Sequence, residues 1–573
     1  MDSRNGTSIR RLLIASAPAL AVYLVLVVWL TWPLARHLGT NLADTAFPCH
    51  FDALWTVWAL AHESRALATD PSSFLDGNVF HPARHSLFYG PTALAALFPF
   101  APVFLATGNP TLAINVTVLG SIALTAWTLH LATLWWTGSQ LAGFVAAWTL
   151  LTTREALWAV PCAPQYAVLQ YLPLVTVLAA GSLESGRAKV ALVCLAVLQC
   201  LADVIYLAPI VIAPLALLAV VRVIRRASRP AGWRLIGVVA VSLVMLVPVY
   251  AAHIDVFLRE PDLAAQSTWR GPTGSPAVPV GSWPVRGPAG VSSVSLVLIA
   301  VGLLCRKSGR ISEGWRHAGL LAVLSLVLAV PPRIRVDALH SYPLPHAVIA
   351  EHLPVYRFLR VQGRLAYGGM IGLALLAGLG FAECARRLSM SRHAYRAPLL
   401  AAAAVVAMYV GYESGLDPVH PNKPLPRRYP LMPAVSPEDP VLDLLRTTEG
   451  PLLEIPVESL ADQATAMYRS IFHRRPVLNG YTSYHPIAFR KLMEEVRELP
   501  SEGSLIHLRA AAGVRAILVH RNPRLPNRVA WERAARGGRL DLQLVGRHGK
   551  DLLFAIPGRP AHLSDVEASV YPE

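Results

Sequence analysis

The sequence predicts an α-helical polytopic membrane protein with a water-soluble α/β domain at its C-terminal end. Three observations predict it. The chain has 573 residues, 54% hydrophobic and only 15% charged, where a soluble domain carries about 25% charged residues. Twelve apolar runs lie near 12–32, 91–107, 111–136, 140–153, 166–182, 189–203, 205–221, 234–251, 291–305, 318–331, 365–383 and 397–412, a density that suits a bilayer as solvent. After residue 413 the pattern changes to short strand signals alternating with amphipathic helices.

The first run, with "RRLLIASAPALAVYLVLVVWLTW" at 10–32, is too long for a signal peptide and lacks a small-residue cleavage site, so it reads as a retained span. Arg10 and Arg11 put its N-terminal side in the cytoplasm. The net charge of +16 has the same origin. Arg and Lys cluster in the short loops 184–189, 222–234, 305–310 and 384–396, the expected cytoplasmic bias. No basic stripe with interleaved aromatics appears, so nucleic acid is not an expected partner.

Even numbers of runs separate these loops, but five precede the loop at 184. One of the five is therefore not a simple crossing. The 91–107 run, interrupted by Pro99 and Pro102, is the expected partial or re-entrant segment. That leaves eleven full crossings out of about 11 to 12 segments, with the tail outside. Residues 1–413 form the expected transmembrane domain, with a first external loop at 33–90, and 414–573 the external α/β domain. Segments 154–165, 252–290 and 332–364 are external as well. In the tail, "PLLEIPV" (451–457) and "GVRAILVH" (513–520) read as strands, 542–557 as a hairpin turning at "HGKD", and "PVLDLLRTTE" (440–449) as a helix. "GLALLAGLG" (372–380) matches no phosphate-binding loop and reads as close helix packing. The six cysteines form no CxxC pair. Cys49 and Cys162 both fall in external segments, which permits a disulfide that spacing alone does not establish.

The chemistry-bearing residues begin just after the first span. In "CHFDALWTVWALAHE" (49–63), Asp52, Thr56, Ala59 and Glu63 form one helical stripe, and Phe51, Trp55, Trp58 and His62 the next. The aromatic stripe is expected to rest in the membrane interface and the acidic one to face water or a cavity. Asp44 is a second external carboxylate, with a turn or cap role as its plain reading. The loop continues with Asn78, His81, Arg84, His85 and Tyr89. His81 and His85 have metal-ligand spacing, but Pro82 opposes a helix there and favours loop-fixing hydrogen bonds over metal ligation.

The stretches "WPLARHLGTNLADTAFPCHFDALWTVWAL", "GNVFHPARHSLFYGP", "NPTLAINVTVLGSIALTAWTLHLATLWWTGS", "LPVYRFLRVQGRLAYGGMIGLALLAGLG" and "HRRPVLNGYTSYHP" together resemble the GT-C superfamily of membrane glycosyltransferases, which includes protein O-mannosyltransferases and the transferase that adds aminoarabinose to lipid A. The resemblance is to an uncharacterised bacterial branch and covers most of the chain. It implies a multi-pass protein of the bacterial inner membrane, in cell-envelope assembly. Such a protein moves a sugar from a polyprenyl-phosphate donor to an extracytoplasmic glycan, lipid or protein acceptor. It also implies a catalytic carboxylate in the first external loop. Asp52 matches that position best and Asp44 second; no adjacent acidic pair is present, and Glu155 is the only carboxylate of the second external stretch. The carboxylate acts as a base or holds a divalent cation, and the resemblance leaves that choice open. A donor phosphate requires cations, and Arg357, Arg360 and Arg364 precede a span on the external side, against the positive-inside bias. Asn78, His81, His85 and Tyr89 in the loop, with Asn479, Tyr481 and His485 in the tail, suit sugar hydroxyls and ring faces. The rival expectation is a non-catalytic scaffold or a flippase for lipid-linked sugars, and a transporter of that kind buries ionisable side chains within its spans.

This topology is directly testable. A reporter fused after residue 413 should be active only if it is of a kind that works when exported. Activity of a cytosol-only reporter at that junction would contradict it.

Overall fold

Each of the twelve apolar runs contains a helix. The computed structural model describes residues 9–45, 50–260, 263, 278–279, 290–305, 310–330, 333–335, 341–344, 347–348, 352, 361–389, 395–415, 426–537 and 541–557. The run-matched helices are α1 (Ile9–Leu30), α3 (Leu94–Thr107), α4 (Pro110–Thr137), α5 (Gln140–Leu151), α6 (Leu172–Ala180), α7 (Gly186–Ala202), α8 (Leu207–Ile224), α9 (Arg229–Arg259), α10 (Ser293–Cys305), α11 (Arg310–Leu328), α12 (Ala366–Ser389) and α13 (Arg396–Glu413). Among the described residues five helical stretches are long and apolar enough to cross a membrane: 11–30, 110–137, 207–224, 226–259 and 362–388. α1 and α9 turn large apolar side chains outward, with Val25 67% and Val244 68% exposed. Such faces are costly in water and suited to lipid.

The expected single non-spanning run does not stand out. α3 is a continuous 14-residue helix with Pro99 and Pro102 inside it. α6 is shorter, nine residues, or about 14 Å against a hydrocarbon core of about 30 Å. The 166–182 run is α-helical only from Leu172, after a 3₁₀ turn over Pro164–Ala167, with Pro173 in the first turn, where its missing N–H costs nothing.

α12 is the centre of the bundle. It packs against α5, α10 and α11, and glycines permit the close approach. A Cβ on Gly372 would meet Ala322 of α11, and one on Gly380 would strike the Leu298 carbonyl of α10, as expected for 372–380. α1, α4 and α5 are joined through His130. The Tyr23 hydroxyl lies 2.7 Å from His130 Nδ1, and His130 Nε2 lies 2.6 Å from Gln140 Oε1. That buried histidine joins helices.

The remaining loop helix, α2 (His50–Thr69), does not turn its aromatic stripe outward. From Phe51 to Ala61 every side chain is buried except Asp52. The aromatic stripe packs inside the protein: Trp58 donates to Asn78 Oδ1 at 2.9 Å, and Trp55 and Trp58 are 2% and 1% exposed. α2 packs against α3 on one side and against helix Leu460–His473 of the tail on the other.

The tail carries a four-stranded sheet, β6 (Leu452–Ile455), β7 (Ala516–His520), β9 (Asp551–Ala555) and β8 (Gln543–His548) in that order. β6 and β7 are parallel and the β8–β9 hairpin turns at Gly549. The period-2 pattern sorts its two faces. Leu453, Ile455, Ile517, Val519, Leu552 and Phe554 form a core of the tail alone, while Leu452, Ala516, Leu518 and Leu553 join the core continuous with the helical bundle. First-loop residues extend the edge of this sheet. Val477 N–H donates to the Asn78 carbonyl, Phe80 N–H to Asn479 and His81 N–H to Val477, while Leu478 N–H donates to Leu452. A second seam pairs β1 (Asn41–Ala43) with β5 (Leu431–Pro433). Three short strands, β2 (Val278–Pro279), β3 (Arg333–Arg335) and β4 (Ser341–Pro343), form a separate small sheet.

A buried charge cluster ties the sheet to helix Leu460–His473. Glu454 and Arg469 form an ion pair, and His520 lies 3.2 Å from Glu454 and 2.8 Å from Asp551. Burial lowers the His520 pKa, but the bonds to Asp551 and Glu454 outweigh it and raise it to about 9 from 6.5. A raised folded pKa gives stability that is complete below 6.5 and is lost as pH climbs toward about 9. The thermal midpoint of the tail, followed by protease susceptibility in the full-length protein, should therefore fall between those pH values. His520→Gln should flatten that decline; an unchanged decline would remove His520 as its cause.

Candidate functional site

Asp52 sits in the first turn of α2, where a carboxylate is favoured by the helix dipole. Its two oxygens meet two different parts of the chain. Tyr481 of the tail donates its hydroxyl proton to Oδ1 at 2.8 Å, and Arg364 Nη2 lies 3.5 Å from Oδ2. Asp52 and Arg364 keep 32% and 22% side-chain exposure. Arg364 lies in a 3₁₀ turn, Gln362–Leu365, that leads into α12. A first-loop carboxylate, a cation at the head of the central helix and a phenol of the tail thus converge on one half-exposed spot.

Behind Arg364 is a buried polar chain; sequence reasoning places Asp203 at a hairpin between two runs but misses Tyr166 and the link to Arg364. Arg364 Nη1 donates to Tyr166 Oη at 3.3 Å, and Tyr166 donates to Asp203 Oδ2 at 2.7 Å. Asp203 is fully buried, and its other oxygen accepts from the N–H groups of Ile205 and Tyr206. The guanidinium also lies 5.2 Å from the Tyr166 ring and 5.5 Å from the Tyr206 ring, within cation–π range. A sequence signal existed: "CLADVIYLAP" places one carboxylate between two apolar runs.

The other expected site residues fall elsewhere. Arg357 and Arg360 lie outside the described residues, as do Cys49 and the Cys162 side chain. Asp44 is exposed beyond the end of β1, its N–H donating to the Pro430 carbonyl. Asn78 joins loop and tail: its oxygen accepts from Trp58 and its NH₂ donates to the Ser470 and Arg475 carbonyls. Asn479 is fully buried; it accepts from the Glu454 N–H and donates to the Glu454 carbonyl and Gln463. His81 is fixed by its backbone, and burial lowers its side-chain pKa. His85 Nδ1 is 3.1 Å from Asp255. Tyr89 donates to Glu260, which also accepts from Ile487 N–H. His485 stacks on Phe489 with centroids 5.4 Å apart. Most of these side chains fasten the first loop to the tail and to α9.

Glu63, on the Asp52 stripe, is 3% exposed, and its Oε2 has no hydrogen-bond partner among the described residues. Burial raises its pKa to about 8, so it is neutral at pH 7. Among the described residues no group of three or more His, Cys, Asp or Glu side chains could hold a metal ion. Among the described residues the partners of the Asp52 carboxylate, a guanidinium and a phenol, do not form the donor set of a divalent cation.

No protein-family model and no curated protein matches the chain. Among solved structures it is similar to ArnT from Cupriavidus metallidurans in the apo state, with 14% identity, a TM-score of 0.43, and coverage of 94% of this chain and 98% of that one.

Fastening and site residues should separate experimentally. Asn479→Ala leaves buried backbone groups unpaired, at about 1–3 kcal/mol each, and should lower the thermal midpoint clearly. Tyr481→Phe removes one half-exposed contact and should leave the midpoint near the parental value. Equal losses in both would make Tyr481 another fastening residue.

Proposed function

We propose that the chain is a membrane glycosyltransferase of GT-C type that moves a sugar from a polyprenyl-phosphate donor to an extracytoplasmic acceptor. The observation that carries this reading is the pairing of Asp52 with Arg364 and Tyr481. An exposed ion pair contributes only about 0–1 kcal/mol to stability, so stability alone is a weak reason for a charged pair there. A base beside a phosphate-binding cation is what transfer from a lipid phosphate requires.

In the proposed step an acceptor hydroxyl oxygen attacks the anomeric carbon, and the bond from that carbon to the donor phosphate oxygen breaks. Asp52 takes the hydroxyl proton. Arg364 releases Asp52 and meets the charge of the departing polyprenyl phosphate with forked N–H groups. Tyr481 holds the carboxylate in line. No step runs through a metal, since the residues around Asp52 do not suit one. The external domain boundary near 413, the inner-membrane location and the roles of Arg357 and Arg360 belong to the same proposal. Against the flippase reading, the buried ionisable residues of the apolar runs are engaged within the protein, His130 by Tyr23 and Gln140, Asp203 by Tyr166 and Glu383 by Arg386.

Asp52→Asn keeps size and removes the base, so turnover of a polyprenyl-phosphate sugar should fall by about 10²–10⁴-fold. Glu63→Gln, which replaces a group already neutral, should keep near-parental turnover at pH 7. Parental turnover in Asp52→Asn would contradict the assignment.

A further inference from the structure

We infer that Tyr166 and Asp203 are positioning residues for Arg364, with Asp203 setting the direction of the Tyr166 hydroxyl proton so that this oxygen can only accept from the guanidinium. The inference rests on the proposed role of Arg364, and it concerns residues that touch no reacting atom.

The geometry separates the two ends of the guanidinium. Nη2 faces the half-exposed Asp52 at 3.5 Å, and Nη1 faces the buried Tyr166 oxygen at 3.3 Å. The first contact is long for a hydrogen bond and open to exchange. The second is enclosed, since Tyr166 is fully buried. A phenol can donate or accept. Facing an arginine it is useful only as an acceptor, because guanidinium has no lone pair to offer. Asp203 Oδ2, 2.7 Å away, accepts the hydrogen bond from the phenolic O–H and leaves an oxygen lone pair for Arg364.

The plain alternative is that Asp203 merely caps the turn into α8 through Ile205 and Tyr206. A neutral Asn or Ser serves that purpose as well as Asp, and burying a carboxylate is costly unless it is paired. The second oxygen, spent on Tyr166, is the part that capping leaves unexplained. Tyr206 contributes at the same place: its ring lies beside the guanidinium, and its hydroxyl accepts from Val361 N–H at 3.0 Å, at the entry to the turn that bears Arg364. One nitrogen of Arg364 stays anchored while the other exchanges Asp52 for a donor phosphate.

The test uses the full-length protein in lipid nanodiscs with two readouts. The first is the rate at which a dicarbonyl reagent modifies Arg364 without any ligand, read by peptide mass spectrometry. Tyr166→Phe and Asp203→Asn should each raise that rate several-fold; Asp203→Asn leaves no unpaired buried charge and should keep the thermal midpoint near parental, whereas Tyr166→Phe strips the buried Asp203 carboxylate of a partner and should lower it. Unchanged rates in both overturn the inference, whatever the protein binds. The second readout is binding of undecaprenyl phosphate. Each variant should weaken it by about three- to tenfold, the scale of one charge-assisted hydrogen bond partly replaced by water. Neither should weaken it further in an Arg364→Ala background. Equal losses with and without Arg364 would mean a merely structural role and overturn the inference. If the parental protein fails to bind undecaprenyl phosphate while the modification rates shift as expected, the donor assignment fails and the positioning of Arg364 stands.

Discussion

The enclosure of α2 is the constraint on which the rest of the arrangement depends. The helix is pressed between the bundle and the tail, and between Phe51 and Ala61 only Asp52 keeps an opening. Burial of Trp55, Trp58 and Leu60 locks the rotation of the helix, since each large apolar side chain removed from water contributes about 1.5–3 kcal/mol. With the rotation locked, Asp52 has one direction to point in, toward Arg364 and Tyr481. The seams formed by Asn78, Asn479 and the β1–β5 pair hold the tail in register, so Tyr481 arrives at the same place.

These parts differ in energetic character. Among the fastening groups Asn479 is buried and bonded to Glu454 and Gln463, and removing it leaves partners that cannot reach water. The contact between Asp52 and Arg364 is long and half-exposed. Rigid surroundings with an exchangeable contact at the centre make a pre-organised site that can still admit a ligand.

Much of the architecture was legible in the sequence. The apolar runs each hold a helix, the strands at 451–457 and 513–520 and the hairpin at 542–557 are where period-2 alternation put them, and Gly372 and Gly380 allow close helix contacts. Asp52, Arg364 and Tyr481 were all singled out by residue type and position. What could not be read was distance along the chain turned into contact. A Trp-rich helix after a span looks interfacial, and only the fold shows that residues 78–91, the tail and bundle residues such as Gln165 and Arg364 enclose it. Asn479 looks like a sugar ligand until Glu454 and Gln463 are brought beside it. Tyr166 lay unremarked at the start of an apolar run because its meaning comes from Arg364, about two hundred positions later.

The central claim is that Arg364 exchanges Asp52 for a donor phosphate at a site that α2, α12 and the tail assemble together. The most direct measurement is an electron cryomicroscopy map of the full-length protein with undecaprenyl phosphate bound. The account predicts phosphate density within hydrogen-bond distance of Arg364, with the Asp52 carboxylate released from Nη2 and still held by Tyr481. Phosphate density away from Arg364, with the contact between Asp52 and Arg364 unchanged, would contradict it.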